Sequence, residues 1–394
     1  MIGESKDSIR IALLDTAATG DRGSMARAAG QMKSAIDSLG NDATASTALP
    51  IEIERINVSA SDAVSFPMLP GSIKRLIRYT KMRRRTSQLN GRTSDRPGFD
   101  LFHLVDGSLA FITERLPGDQ VIVTCHDVIP WLQMQGRFDV PPPGVAARYI
   151  IRRSLRRLQR CGRVLCDSEN TRRDLSQFGM DWEHAQTLPL AIEPCFFQPR
   201  KPRRETQHKR ILHIGNNGFY KNRCGAIRVF HQLVSRHWNH ESLPHLAMVG
   251  PPPSAGLRSQ VADLGLEDQV EFMSDVDDSQ LLEMYAGYDL LLFPSFYEGF
   301  GWPPLEAMAS GCPVVASDRG SLPEVTGPSP AFAPEDVTGM ARCAAKILEC
   351  RETASRLETD GRQFAEQFSL QQLGNSLATV YREQYRGLSQ TLRR

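Results

Sequence analysis

The chain has 394 residues, 41% of them hydrophobic and 23% charged, with a formal net charge of +2. That length supports two or three domains with sizeable cores, and the composition excludes a collagen-like or disordered low-complexity chain. The balance is uneven: the first half is net positive, with the excess in two Arg-rich stretches, and the second half is net negative. Eight cysteines without a CxxC pair read as free thiols of a reducing compartment. The charged first ten residues do not read as a signal peptide, and no run reaches the roughly 20 apolar residues of a membrane helix, so a cytoplasmic protein is expected.

Ile9–Leu14 reads as a first strand, followed by a loop with Gly20 and Gly23 and a helix from about Met25 to Leu39. Strand, Gly-rich loop and helix open a Rossmann-like half, although GxGxxG is missing and a plain tight turn fits equally. A strand is expected at 51–57. The run 74–85 then collects Lys74, Arg75, Arg78, Lys81, Arg83, Arg84 and Arg85, interrupted by Leu76, Ile77, Tyr79 and Met82. On a helix Leu76, Tyr79 and Met82 share a face, a pattern that suits a segment lying on an anionic bilayer. A solvated helix with a basic face is the plainer alternative.

Strands follow at about 99–105 and 120–124, the second running into His126. A histidine just beyond a strand's carboxyl end sits where open sheets hold ligands, and a packing role is the alternative. The helix 149–160 lines up Arg152, Arg156 and Arg160, with Arg153 and Arg157 alongside, as a broad basic stripe. Like charges at that spacing repel, which favours an anionic partner: lipid headgroups or a polyanionic substrate. Nucleic acid is not expected, because no recognition motif accompanies the arginines. Val164–Cys166 reads as a strand, and Ser168 as the cap of the next helix.

The polar stretch 199–209 reads as an interdomain linker. Arg210–Gly215 then restarts the strand, loop and helix pattern, with Lys221 in a loop beside Gly215 and Gly218 as a candidate phosphate clamp. Strands are expected at 246–249 and 270–273, and a helix at 280–286 capped by Asp277 or Asp278. The stretch 288–324 reads as strand (Leu290–Phe293), Gly-rich loop, short helix opened by Pro303 and Pro304 and stopped by Gly311, and strand (Pro313–Ala316). Glu298 in the loop and Glu306 on the helix are paired carboxylates suited to acid and base work on a glycoside or to hydrogen-bonding hydroxyls. No metal-binding motif appears, and neither a metal nor another cofactor is expected. Three helices close the chain, at about 336–350, 353–368 and 370–386.

PSFYEGFGWPPLEAMASGCPVVASDRGSLPEV (294–325) closely resembles the donor-site signature of retaining GT-B glycosyltransferases of family 4, a Glu, seven residues and a second Glu. TCHDVIP (124–130), CDSENTRRDL (166–175), ILHIGNNGFYKN (211–222) and FMSDVDDSQLLEMYAGYDLLLFPS (272–295) extend the resemblance over most of the chain. It implies an α/β GT-B fold of two Rossmann-like domains facing each other across a cleft: residues 1–198 for the acceptor, 199–370 for the nucleotide-sugar donor, and a C-terminal helix, 371–394, crossing back to the first domain. It further implies that Glu306 holds ribose hydroxyls and Glu298 the transferred sugar. Lys221 would neutralise the diphosphate, Gly299, Phe300 and Gly301 would present backbone donors, His126 would lie beside the sugar, and the loop at Gly23 would close near the phosphates. Where many members carry Arg, this chain has Asn216, so Arg223 or Arg319 is a candidate for the missing charge.

The expected function is transfer of a hexose from a nucleotide-sugar, GDP-mannose favoured and a UDP-sugar next, to a glycan or lipid-linked glycan in bacterial cell-surface polysaccharide synthesis. Lys74, Arg75, Arg78, Arg152, Arg156 and Arg160 are the expected membrane or acceptor surface, on the inner face of the cell membrane. The alternatives are a non-transferring GT-B epimerase, recognised by turnover without acceptor, and a non-enzymatic sugar-nucleotide or membrane-binding scaffold.

Overall fold

The computed structural model describes residues 8–18, 23–39, 49–59, 71–90, 98–179, 184–198 and 208–391, the side chains of 71–74 excepted. The chain divides into two compact units, Met1–Ala191 with Leu370–Arg394, and Ile192–Ser369. The expected linker at 199–209 lies, through residue 207, outside the described residues.

The first unit runs β1 (Ile9–Asp15), α1 (Ser24–Leu39), β2 (Ile51–Asn57), α2 (Gly71–Gln88), β3 (Leu101–Leu104), β4 (Val121–Cys125), α3 (Ile129–Met134), α4 (Val145–Leu158), β5 (Arg163–Cys166), α5 (Glu169–Ser176) and β6 (Ala185–Thr187). Its sheet has the order β2-β1-β3-β4-β5-β6, with every neighbouring pair parallel. Strands such as β4, VIVTC, are buried along their whole length, as a parallel sheet covered on both faces requires. Ser168 caps α5 through its side chain, which accepts from the Thr171 N–H.

The second unit repeats the plan: β7 (Arg210–Ile214), α6 (Arg223–Gln232), β8 (His245–Val249), α7 (Ala255–Asp263), β9 (Val270–Met273), α8 (Asp278–Gly287), β10 (Leu290–Phe293), α9 (Trp302–Ala309), β11 (Val314–Ser317), α10 (Leu322–Thr326), β12 (Ala331–Phe332), α11 (Val337–Glu349) and α12 (Arg351–Ala365). The parallel sheet has the order β12-β11-β10-β7-β8-β9. Asp277, not Asp278, caps α8, in a reciprocal box with Gln280. Gly311 takes φ 73° just past α9, which gives the left-handed stop that its sequence position implies. The final helix, α13 (Leu370–Thr391), belongs to the first unit, where Tyr381 is fully buried and its hydroxyl lies 2.7 Å from His103 Nδ1.

Both units are therefore Rossmann-like, together the two domains of a GT-B fold. In each sheet the strand order reverses once, between β1 and β3 and between β7 and β10. Open α/β sheets bind ligands at the carboxyl ends of strands flanking such a reversal.

Candidate functional site in the second unit

Lys221 and Glu298 stand at the carboxyl ends of β7 and β10, the two strands at the reversal. Lys221 Nζ donates to both carboxylate oxygens of Glu298, at 2.9 and 2.7 Å. Their side chains are 15% and 7% exposed, so the pair is formed largely out of water. The ammonium also lies 5.4 Å from the centre of the Phe293 ring and 5.6 Å from that of Tyr220. These aromatic faces favour the cation and shape its surroundings.

The local chain explains the placement. Asn222 adopts the left-handed conformation (φ 49°, ψ 45°) that ends the tight turn carrying Lys221. Its Oδ1 accepts from Gly225 N–H and caps α6, while its Nδ2 donates to Pro294 O, just past β10. Phe296 N–H donates to Tyr220 O at 2.7 Å, a second tie between the two loops. Beneath Glu298, Ser321 Oγ donates to the carbonyls of Glu298 and Phe300. Gly320, at φ +60°, brings its backbone so close that an added Cβ would lie 2.6 Å from Glu298 O. Neither Asn222 nor the Gly320–Ser321 pair was singled out from sequence, although Asn and Gly beside the Lys and Glu loops are the visible trace of these turns.

Glu306 is 1% exposed and accepts a hydrogen bond from Tyr285 OH at 2.7 Å. It lies inside α9, not on a solvent-facing side of the helix. Gly301 caps that helix at φ 107°, and Phe300 packs edge-on to Trp302 and Phe368; Gly299 and Phe300 are buried. Asn216 is exposed; its Oδ1 accepts from Gly218 N–H and its Nδ2 donates to Tyr220 OH.

The two candidates for the missing positive charge differ. Arg223 is 6% exposed. Its Nη1 donates to Pro251 O and Asn217 Oδ1, while Nε and Nη2, both buried, have no hydrogen-bond partner among the described residues. It belongs to the same group of loops as Asn216. Arg319 is half exposed and faces Asp318 and Glu335 at 3.4 and 3.6 Å, so its charge is met by carboxylates. Beneath the Lys221 loop, His213 is fully buried, with Nδ1–H donating to Leu292 O. Burial holds its pKa down at about 4, so it is neutral and adds no charge near Lys221.

In the first unit, His126 projects from the end of β4 into the ends of β3 and β5. Nδ1 lies 2.5 Å from Asp167 Oδ2 and Nε2 2.8 Å from Val105 O. The Val105 carbonyl requires an N–H at Nε2; at Nδ1 the proton is shared with Asp167, so a charged ring sits against a carboxyl whose own pKa burial raises. Burial opposes that charge, but Asp167, aided by Asp106 and Asp127, raises the pKa to about 9. Both ring nitrogens are thus engaged inside the fold, as the packing alternative for this histidine has it. Asp167 is the residue the sequence reading passed over. Gly23 is exposed at the start of α1, and the loop residues 19–22 before it lie outside the described residues.

The basic stripes divide. Arg152, Arg156 and Arg160 are exposed, whereas Arg153 grips Glu114 through two hydrogen bonds and Arg157 is 8% exposed and bonded to Thr113 and Leu116. The stripe is narrower than its spacing implies. On α2, Arg75 is exposed and Arg78 donates to Thr16 O, while the Lys74 side chain lies outside the described residues. Met82 is fully buried and Leu76 is 63% exposed, so the expected shared apolar face is divided between core and solvent.

Two family models match the chain: Glycosyltransferase Family 4 over residues 40–194 and Glycosyl transferases group 1 over residues 196–364. The chain is 32% identical over 212 residues to the MMP alpha-(1->4)-mannosyltransferase of Mycolicibacterium hassiacum, covering 52% of this chain and 50% of that protein. It is 26% identical over 259 residues to the O-antigen chain mannosyltransferase RfbU of Salmonella typhimurium, covering 65% and 69%. The alignment thus spans half the length of the first of these relatives. Among solved structures, a sucrose-phosphate synthase of Thermosynechococcus elongatus superposes with a TM-score of 0.74 at 18% identity, covering 96% of this chain and 100% of that one. With both domains matched in sequence and the two-sheet architecture matched in structure, the chain belongs to the GT-B-fold glycosyltransferases.

Proposed function

We propose that the protein transfers a hexose, mannose in first place, from a nucleotide-sugar donor to a glycan or lipid-linked glycan, with retention of anomeric configuration, in cell-surface polysaccharide synthesis. The observation that carries this reading is the Lys221–Glu298 pair at the β7/β10 reversal, with buried Glu306 on the helix between β10 and β11. Among the described residues Lys221 is the positive charge at that point best placed for a diphosphate, and a bound diphosphate competes with Glu298 for it. Glu298 then accepts from the sugar's hydroxyls and Glu306 from those of the ribose.

A carboxylate held at both oxygens by an ammonium is poorly placed to act as nucleophile or general base. This supports hydroxyl and charge recognition over the hydrolase-like use of the two glutamates. Stabilisation of the departing diphosphate by Lys221 in a preorganised site is the main catalytic contribution. The unpartnered edge of Arg223 supports it, not Arg319, as the residue that makes up for Asn216. GDP-mannose is favoured as donor because the relatives above are named as mannosyltransferases. His126, clamped to Asp167 and Val105, acts by holding the strand ends of the first unit in place.

The test is turnover of GDP-mannose, UDP-glucose and UDP-galactose with and without a mannoside acceptor. Acceptor-dependent consumption of GDP-mannose supports the proposal. Consumption of a donor without acceptor points to an epimerase or hydrolase and overturns it.

A further inference from the structure

We propose that a cavity between the starts of α6 and α7 is a second anion site, for a small organic phosphomonoester, and that its occupant opposes binding of the donor. The inference rests on the reading of Lys221 and Arg223 as the residues that meet the donor diphosphate. The cavity measures about 380 Å³, a volume in the range of small-molecule sites. Arg223, Cys224 and Arg228 of α6 line it, with Ser254 and Leu257 at the start of α7. Lys221, Tyr220 and Glu298 do not line it, so it lies beside the donor pair without including it.

Its charge is one-sided. Two arginines line the cavity and no aspartate or glutamate does. Arg223 is 6% exposed, and the acceptors it reaches, Pro251 O and Asn217 Oδ1, are neutral. Its Nε and Nη2 have no hydrogen-bond partner among the described residues. Burial pushes its pKa down, and no carboxylate offsets this. A guanidinium buried without a counter-charge is costly, and a bound anion removes the cost. Arg228 is exposed and has no ion-pair partner among the described residues. The helices α6 and α7, of ten and nine residues, both begin at the cavity, and their amino ends add partial positive charge.

The apolar wall selects the kind of anion. Phe219, Leu257 and Phe296 line the same cavity and offer surface that a bare inorganic ion leaves unused, whereas the carbon frame of an ester covers it. The cavity also touches the donor machinery. Gly218 and Asn222, which flank the turn carrying Lys221, are among its walls, and Phe296 N–H donates to Tyr220 O in that turn. An occupant of the cavity and the donor diphosphate thus draw on the same Arg223 charge, which sets them against each other.

The experiment is isothermal titration calorimetry of the full chain with mannose 6-phosphate, inorganic phosphate and GDP. The alkylation rate of Cys224, which is exposed at the cavity, is read in parallel from its peptide by mass spectrometry. Mannose 6-phosphate is expected to bind more tightly than inorganic phosphate and to slow alkylation of Cys224. R228Q should weaken its binding by about 10-fold, and C224W, which fills the cavity with both charges intact, should abolish it. Both positions are exposed, and an unchanged melting temperature checks the fold. GDP and mannose 6-phosphate should each weaken binding of the other by the same factor, about 5-fold or more. Wild-type affinity for mannose 6-phosphate in both variants overturns the proposal, as does the absence of binding to the wild type. Binding that K221M abolishes and R228Q leaves intact also overturns it, by placing the ester at the donor pair. Binding of GDP and the ester without mutual effect overturns the antagonism. GDP affinity unchanged in K221M contradicts the donor reading instead, while R228Q and C224W still decide the cavity.

Discussion

At the residue scale, Lys221 and Glu298 neutralise each other where water is largely excluded, so removing either leaves the other uncompensated. E298Q is predicted to lower the stability of the second unit by on the order of 1–3 kcal/mol. Added nucleoside diphosphate should restore more of the melting temperature in E298Q than in the wild type, because the anion replaces the lost carboxylate. Differential scanning fluorimetry with and without GDP reads this; a restoration no larger than the wild type's would separate Lys221 from the diphosphate. K221M should lower kcat by roughly 100- to 1000-fold, the loss typical of one preorganised transition-state donor. His126 gives a pH prediction. Its pKa, raised from 6.5 to about 9, means that its contribution is complete below the unfolded value and is lost as pH rises through about 9. The melting temperature should fall across that alkaline window in the wild type, and this part of the fall should be missing in H126Q. His126 was visible in the sequence as a histidine at a strand end. Asp167 was not, because 41 residues separate the two and only the β4–β5 pairing brings them together.

At the element scale, the Glu298 loop is held from below by Gly320 and Ser321. G320A places a Cβ against Glu298 N and O in a backbone conformation unfavourable to L-residues. It is predicted to destabilise the second unit by at least about 1 kcal/mol and to raise the donor KM. S321A, which loses hydrogen bonds to Glu298 O and Phe300 O without a clash, should produce the smaller change. A donor KM untouched by G320A would show that the loop does not position Glu298 for the donor. The bounds of α9 were legible from its two prolines and Gly311, because those residues act locally. Elements defined by tertiary pairing were not. β6, AQT, carries no alternating pattern, β12 is two residues long, and α7 buries only Leu257 and Val261 on a polar helix. The basic helices show the same limit. Spacing placed Arg153 and Arg157 on the charged stripe, but Glu114, Thr113 and Leu116, distant in sequence, draw them inward.

At the scale of the whole molecule, the repeated strand, loop and helix pattern made the two Rossmann-like halves legible, since buried parallel strands read as short apolar runs. The position proposed for the site rests on the same pattern, because a reversal in strand order opens the sheet at its carboxyl edge. Donor identity is a different kind of information. No local motif of the chain encodes it. Retention and the Lys221-centred site together make the central claim, and one product analysis tests both. The protein and its K221M variant are incubated with GDP-α-mannose and a soluble mannoside, and the anomeric proton of the product is read by nuclear magnetic resonance. The account predicts an α-linked product from the wild type and a loss of at least about 100-fold in the folded K221M variant. A β-linked product, or α-product formed at the wild-type rate by K221M, would contradict it.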